Sequence, residues 1–215
     1  MKLSKFRKKM PLACFTLEEA HRVGWKTSRG QLTLQLHQWN RQGEILRLKR
    51  GLYCFPQKVT DKVQLAKVLY PPCYISLEYA LHAHGLIPDV PFAVTLLTPR
   101  TPRTFNTPQG RFIYHKIQAR LFWGFDPQNL LGEKEKTLLD YFYLYRHRLK
   151  PEPGFWREMR FQNVKELDFK KLRGYADYFP EKVKKLLTSF LDFCFPSPNP
   201  ASGRNQIGLR RFCSV

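Results

Sequence analysis

Histidines and carboxylates are the first side chains in this sequence that could do chemistry. The histidines that could bind a metal or act as a general base are His82, His84, His115 and His147. His82 and His84 are two residues apart, so on a helix their rings point to different sides, a poor arrangement for chelation. Structural roles are therefore favoured for the histidines, and we predict no metal site and no cofactor.

A short D-x-K sequence at Asp168–Lys170 matches the end of a metal-dependent nuclease motif. Matches of three residues are common by chance, and no predicted strand places an acidic partner beside it. The sequence also lacks a phosphate-binding glycine loop, a nucleophile elbow and an HExxH motif. We therefore predict no catalytic residues and a protein that is not an enzyme, with a nucleic-acid-processing nuclease as the alternative.

A second set of side chains has the chemistry of nucleic-acid recognition. Its members are Ser28, Arg29, Gln31, Thr33, His37, Gln38, Arg41, Arg47, Lys49 and Arg50. Arginine pairs with guanine, glutamine pairs with adenine, and threonine suits a thymine methyl group in the major groove. Arg47, Lys49 and Arg50 would contact phosphates or an adjacent minor groove. An ordinary solvated polar surface is the alternative for all of them.

A helix is predicted to carry the first seven of these residues. Leu32, Leu36 and Trp39 fall at helical spacing, Ser28 and Gln31 form a capping-box pair, and Gly43 suits the position after the last turn. The alternation of polar and apolar residues over 31–36 would also fit a strand. A helix would leave Leu34 exposed, where it could meet thymine methyl groups.

A helix before this predicted helix and a hairpin after it complete a known supersecondary motif. Residues 45–55 predict a β-hairpin with its turn at Lys49–Gly51, and Thr16 and Glu19 form a capping box for a helix over Leu17–Val23. Gly24 would end that helix, and residues 25–27 would connect it to the next. Two helices and a hairpin with a basic tip outline a winged helix-turn-helix, which we assign to residues 1–58.

The charge of the chain supports a polyanionic partner. Lysine and arginine number 37 against 17 aspartate and glutamate, for a net charge of +20, and residues 1–60 hold 13 basic and 3 acidic residues. An excess of this size indicates nucleic acid. Five of the basic residues lie in the first ten positions, as a solvated tail or as an arm along the DNA backbone.

Cysteine usage and hydropathy indicate a cytoplasmic protein. The five cysteines are scattered without a CxxC pair, which indicates neither a zinc finger nor a disulfide framework. The basic N-terminus is not followed by the apolar region of a signal peptide, and no apolar run reaches the ~18 residues of a membrane span.

The rest of the chain predicts a mixed α/β (α+β) domain over residues 59–195. The predicted strands cover 92–98, 111–117 and 121–124, with a loop over 99–108. The predicted helices cover 59–69, 76–85, 133–145, 155–161, 164–172 and 181–195. The helix over 133–145 is expected to be amphipathic. Residues 196–215 are rich in Pro, Ser, Gly and Asn, and we predict a flexible tail.

Several segments together resemble one protein family. They are RLKRGLY at 47–53, YISLEYALHAHGLI at 74–87, a threonine-rich basic loop, residues 112–117, and EKTLLD at 135–140. In this order, over roughly residues 12–195, they are similar to the AbiEi antitoxins of bacterial abortive-infection (type IV) toxin–antitoxin systems. The resemblance implies an N-terminal winged helix that represses its own operon at inverted repeats. It also implies a C-terminal domain that neutralises a nucleotidyltransferase toxin.

One class of function is therefore expected, and two others are alternatives to it. The first is a DNA-binding repressor and antitoxin that binds double-stranded DNA as a monomer or weak dimer, with a nucleotidyltransferase toxin as possible partner and no membrane association. The second is the nuclease described above. The third is an RNA-binding or protein-binding module, since winged helices also serve those ends.

Overall fold

The computed structural model describes residues 2–23, 28–58 and 61–196. In these ranges the chain is α+β, with nine α-helices and two small β-sheets. The predicted connection over 25–27, the predicted helix start at Val59 and the predicted tail from residue 197 onward lie outside the described residues. None of the helices in the described ranges is long and apolar enough to cross a membrane.

The N-terminal part contains three helices and one three-stranded sheet. The elements are α1 (Leu3–Lys9), β1 (Cys14–Thr16), α2 (Leu17–Arg22), α3 (Arg29–Arg41), β2 (Leu46–Lys49) and β3 (Leu52–Cys54). Four of the five basic residues at the start of the chain belong to α1, whose Phe6 is fully buried. Residues 2–10 are therefore anchored to the core through Phe6 and Met10, and the solvated-tail alternative is wrong.

The helical prediction for residues 28–41 is confirmed, and the strand alternative is wrong. Leu32, Leu36 and Trp39 are the buried residues of α3. Ser28 and Gln31 form the predicted capping box, and Gly43 adopts a left-handed conformation (φ +74°) just after the helix. These local signals outweigh the short alternation over 31–36.

The three-stranded sheet has the order β1-β3-β2 and is antiparallel throughout. It is buried on both faces. Phe15, Tyr53 and Phe55 belong to the core formed with α1 and α3. Leu48 and Leu52 belong to a different core that includes α4 (Lys62–Leu69) and the second sheet. The hairpin is therefore packed between the N-terminal helices and the rest of the protein.

The second sheet has four strands in the order β4-β5-β7-β6. They are β4 (Tyr74–Ile75), β5 (Val94–Thr98), β6 (Arg103–Thr107) and β7 (Gly110–Lys116), and only β5 and β7 run parallel. The prediction of a loop over 99–108 is wrong because β6 lies within it. This edge strand has one large apolar residue, Phe105, so it carries no alternating hydrophobic signal. The strand predicted over 121–124 is also wrong, since the chain there follows a 3₁₀ turn over Ala119–Leu121.

Five further helices share one hydrophobic core with residues of β4 and β5. They are α5 (Leu77–Ala83), α6 (Lys134–Tyr145), α7 (Pro153–Glu158), α8 (Phe169–Ala176) and α9 (Glu181–Cys194). The prediction that α6 is amphipathic is wrong, since every residue over 135–143 is buried. The reason is that its polar residues have partners inside the protein, chiefly a fully buried ion pair between Lys136 and Asp140.

Candidate nucleic-acid interface

The outer surface of α3 brings together the first seven predicted residues. Ser28, Arg29, Gln31, Thr33, His37, Gln38 and Arg41 are all exposed. Leu34 lies on the same surface with 71% of its area exposed, as expected from a helix whose opposite side holds Leu32 and Trp39. An exposed leucine among polar side chains gives this surface an apolar contact as well as hydrogen-bonding groups.

Three of these side chains are engaged within the helix itself. The Ser28 hydroxyl accepts a hydrogen bond from the Gln31 amide, and the Gln31 side chain accepts one from the Ser28 amide, both at 3.3 Å. The Thr33 hydroxyl donates to the Arg29 carbonyl at 2.8 Å. Ser28 and Gln31 therefore stabilise the start of α3, and reading a base with Gln31 would require it to leave this cap.

The other four of these seven side chains have no internal partner in the part of the chain that the structure describes. These are Arg29, His37, Gln38 and Arg41, none of which forms a side-chain hydrogen bond or an ion pair there. Side chains that project into solvent without internal contacts are available to a ligand. Arg29, at the N-terminal end of the helix, is the one best placed for a base edge if the helix start enters a groove.

Helix α2 adds residues that the sequence did not single out. A depression between α2 and the start of α3 is lined by Leu17, Glu18, His21, Arg22 and Arg29. Arg22 is exposed in the last turn of α2, close to Arg29. The sequence signal that could have identified Arg22 was its place among basic residues in the last turn of the helix before the predicted connection.

The hairpin presents two of its three predicted basic residues to solvent. Arg47 and Arg50 are exposed, and Gly51 turns the chain with φ +75°. The Arg47 amide donates to the Asn40 side-chain oxygen at 2.8 Å, which ties β2 to the end of α3. The hairpin and α3 are thus held in a fixed relation by a direct hydrogen bond.

Lys49 is placed differently from its two neighbours. Its ammonium group donates to the Leu69 carbonyl at 2.6 Å, at the C-terminal end of α4, and lies 5.7 Å from the centre of the Phe105 ring. A cation is favourable there because the last carbonyls of a helix lack partners and carry partial negative charge. The structure therefore gives Lys49 an internal contact instead of the free position that a phosphate contact would need.

Two arginines lie next to Lys49 and extend the basic surface: Arg100 in the connection between β5 and β6, and Arg103 at the start of β6. The Arg100 guanidinium lies 4.4 Å and the Arg103 guanidinium 5.6 Å from the centre of the Tyr70 ring. Burial, and then these two guanidinium groups, lower the pKa of the Lys49 ammonium. Neither arginine forms an ion pair with any residue that the structure describes. The sequence placed both in a loop remote from the hairpin and did not predict this proximity.

His84 and Asp168 have hydrogen-bond partners within the fold. His84 Nε2 lies 2.7 Å from the Gly132 carbonyl, and burial lowers the pKa of His115. Asp168 caps α8 by accepting a hydrogen bond from the Lys171 amide at 3.0 Å. In the three described ranges, no group of three or more His, Cys, Asp or Glu side chains is arranged to hold a metal ion.

Comparison with known proteins adds no assignment. No protein-family model matches the chain, and no curated protein is similar to it. The resemblance to the AbiEi antitoxins therefore rests on sequence segments alone, and the exposed basic surface is the structural basis for a function.

Proposed function

We propose that residues 1–58 form a winged helix-turn-helix that binds double-stranded DNA. The observation that carries this proposal is the order helix, strand, helix, helix, hairpin, with β1 pairing to β3 and an exposed polar α3 beside an exposed basic hairpin. In proteins of this design the second helix of the pair enters the major groove and reads base edges. Here that helix is α3.

The exposed side chains divide into two roles. Arg29, His37, Gln38 and Arg41 on α3 face base edges, with Leu34 against thymine methyl groups. Arg47 and Arg50 on the hairpin neutralise phosphates and add affinity that falls as salt rises. The net charge of +20 supplies the long-range attraction that brings the protein to DNA.

The biological role follows from the family resemblance. We infer that the protein is a repressor and antitoxin of the AbiEi type, which binds an inverted repeat in its own operon in the bacterial cytoplasm as a monomer or weak dimer. The C-terminal domain, residues 59–195, would neutralise a nucleotidyltransferase toxin. Growth of cells that express such a toxin, with and without residues 59–195, tests this second activity separately from DNA binding.

A binding selection with randomised duplex DNA at near-physiological salt tests the DNA-binding proposal. We expect an inverted-repeat motif that binds about a thousandfold more tightly than a scrambled duplex. Binding that is equal for all duplexes and disappears as salt rises would overturn sequence-specific recognition, because it would reflect backbone attraction alone.

Substitution of Arg29 by alanine tests the assignment of α3 to base reading. We expect Arg29→Ala to reduce the base preference at one or two positions of the selected motif by about 1–3 kcal/mol, because a bidentate contact to one base is lost. The matched control, Arg50→Ala, should weaken binding to every duplex alike. Equal losses on all sequences for both variants would contradict the assignment.

A further inference from the structure

Cys14 and Cys54 face each other across two strands of the N-terminal sheet. They are directly opposite in the antiparallel register of β1 and β3. The Phe55 amide donates to the Ala13 carbonyl at 2.9 Å, and the Leu17 amide donates to the Gly51 carbonyl at 3.0 Å. These bonds alternate along the ladder, so the cysteine pair occupies a non-hydrogen-bonded position.

That position is suited to a disulfide bond. At non-hydrogen-bonded positions of antiparallel strands the α-carbons are about 4.5 Å apart and the side chains approach closely. A disulfide requires a separation of about 4.4–6.8 Å between α-carbons. Residues directly opposite each other in this register carry their side chains on the same face of the sheet, and both cysteines are free thiols. The backbone therefore needs little movement to let the sulfur atoms bond.

The two thiols differ in the way that an attacking and a resolving cysteine differ. Cys14 is partly exposed, whereas Cys54 is fully buried. The hydrogen bond from Cys54 lowers the pKa of the Cys14 thiol, and the same bond together with burial raises the pKa of Cys54. An accessible thiol with increased thiolate character reacts first with an oxidant.

We propose that Cys14 and Cys54 are a redox modification site, which a peroxide converts to a reversible cross-strand disulfide. The Cys14 thiolate attacks one peroxide oxygen, the O–O bond breaks, and Cys14 becomes a sulfenic acid while hydroxide leaves and takes up a proton. Cys54 sulfur then attacks the Cys14 sulfur, the S–O bond breaks, and water leaves with the Cys54 proton. Two thiols and one hydrogen peroxide thus give one disulfide and two waters.

The bond would link the strand that leads into α2 with the strand that leaves the hairpin. The loop it closes holds about 40 residues and contains α2, α3 and β2. Closing a loop of this length restricts the unfolded chain and stabilises the folded one. Formation of this disulfide depends on the two thiols and on the register of the strands, and it does not depend on DNA binding.

Peptide mapping of the oxidised full chain tests the proposal. The protein is treated with hydrogen peroxide, remaining thiols are blocked with N-ethylmaleimide, and the chain is digested with trypsin. We expect a cross-link between peptides 10–22 and 51–58, which dithiothreitol removes. We also expect the thermal midpoint of the oxidised protein to rise by roughly 5 °C or more.

Matched variants and an unfolded control make the result specific. Cys14→Ser should abolish the cross-link, whereas Cys73→Ser should retain it, because Cys73 lies outside the paired strands and its thiol donates to the Ala66 carbonyl on α4. In concentrated urea the preference for the Cys14–Cys54 link should disappear. If both thiols of the folded protein remain open to the blocking reagent, or if links to Cys73, Cys194 or Cys213 form as fast, the proposal is overturned.

Discussion

At the scale of single residues, neighbouring side chains of one type have different tasks. Lys49 and Arg50 adjoin in the hairpin, but Lys49 caps the end of α4 while Arg50 is exposed at the tip. The same contrast holds in α6, where Lys136 is fully buried although Lys134 on the same helix is only partly so. Charge alone therefore does not identify the residues available to a polyanion.

Substitution of Lys49 by methionine should affect stability more than DNA binding. Methionine keeps the apolar stem but leaves the Leu69 carbonyl without its donor, so we expect the free energy of unfolding to fall by about 1–2 kcal/mol. Arg50→Met, the matched control, should change stability by no more than about 0.5 kcal/mol and should weaken DNA binding. Urea unfolding and DNA titration measure the two effects. A stable Lys49→Met protein that has lost DNA affinity would contradict the internal role.

The buried pair of Lys136 and Asp140 should dominate the stability of the second sheet and its helices. Asp140 also accepts hydrogen bonds from the Tyr74 hydroxyl at 2.8 Å and the Ser76 hydroxyl at 3.1 Å. Burial raises the pKa of Asp140 and lowers that of Lys136, although the charge of each opposes the shift of the other. Each side chain therefore needs the opposite charge of the other to remain ionised in the core.

Removal of Lys136 should leave an uncompensated buried carboxylate. We expect Lys136→Met to lower the free energy of unfolding by about 3–5 kcal/mol. The double variant Lys136→Met/Asp140→Asn should recover part of this loss, because the remaining side chain carries no charge. Urea unfolding of the single and double variants measures the loss of stability and its partial recovery. If the double variant is no more stable than the single one, the loss would have to come from packing.

At the scale of elements, α3 is defined by signals along its own sequence. Its capping box, apolar spacing and following glycine agree with one another, and this agreement is what makes a local segment adopt one structure. The exposed Gly30 has the lowest helix propensity of the residues in α3, and a β-carbon added there would meet nothing within 4 Å. A small residue in the first turn would let the helix start approach a DNA backbone closely.

Substitution of Gly30 by alanine should separate helix stability from DNA binding. We expect Gly30→Ala to stabilise the protein by about 0.5–1 kcal/mol, because alanine loses less backbone entropy in a helix. It should weaken DNA binding severalfold, since the new methyl group lies where the helix would meet DNA. Gly174→Ala on α8, which also meets nothing, is the matched control and should stabilise the protein without changing affinity. Unchanged affinity for Gly30→Ala would show that the first turn does not approach DNA.

At the scale of the whole molecule, the N-terminal sheet depends on residues beyond the predicted boundary at 58. Leu48, Leu52 and Cys54 share a core with Leu65, Ala66 and Leu69 of α4 and with the second sheet. This apolar face would be exposed if the chain ended after the hairpin. One face of the hairpin proposed to contact DNA therefore packs against α4 and the second sheet, which stabilise it.

Truncation should reveal this dependence. We expect a fragment of residues 1–58 to unfold at a much lower temperature than the full chain, because one face of its sheet loses its apolar cover. A fragment of residues 1–72 restores α4 and should recover part of the difference. Thermal unfolding followed by circular dichroism compares the two. Equal stability of both fragments would mean that α4 contributes nothing to the N-terminal core.

The sequence by itself determined the elements whose signals are local. Thr16 with Glu19 and Ser28 with Gln31 predict the starts of α2 and α3, and Gly51 predicts the turn of the hairpin. Neighbours along the chain supply these interactions, so a single sequence is sufficient to identify them. The exposed positions of α3 followed from the same helical spacing.

Only the tertiary structure decided which distant residues meet. The pairing of Cys14 with Cys54, the capping of α4 by Lys49 and the proximity of Arg100 to Tyr70 join residues about 20–40 positions apart. Strand β6 was missed because an edge strand needs few apolar residues, and the charged residues of α6 gave no sign of burial. Contacts of this kind depend on how whole elements pack, and no spacing along the chain encodes them.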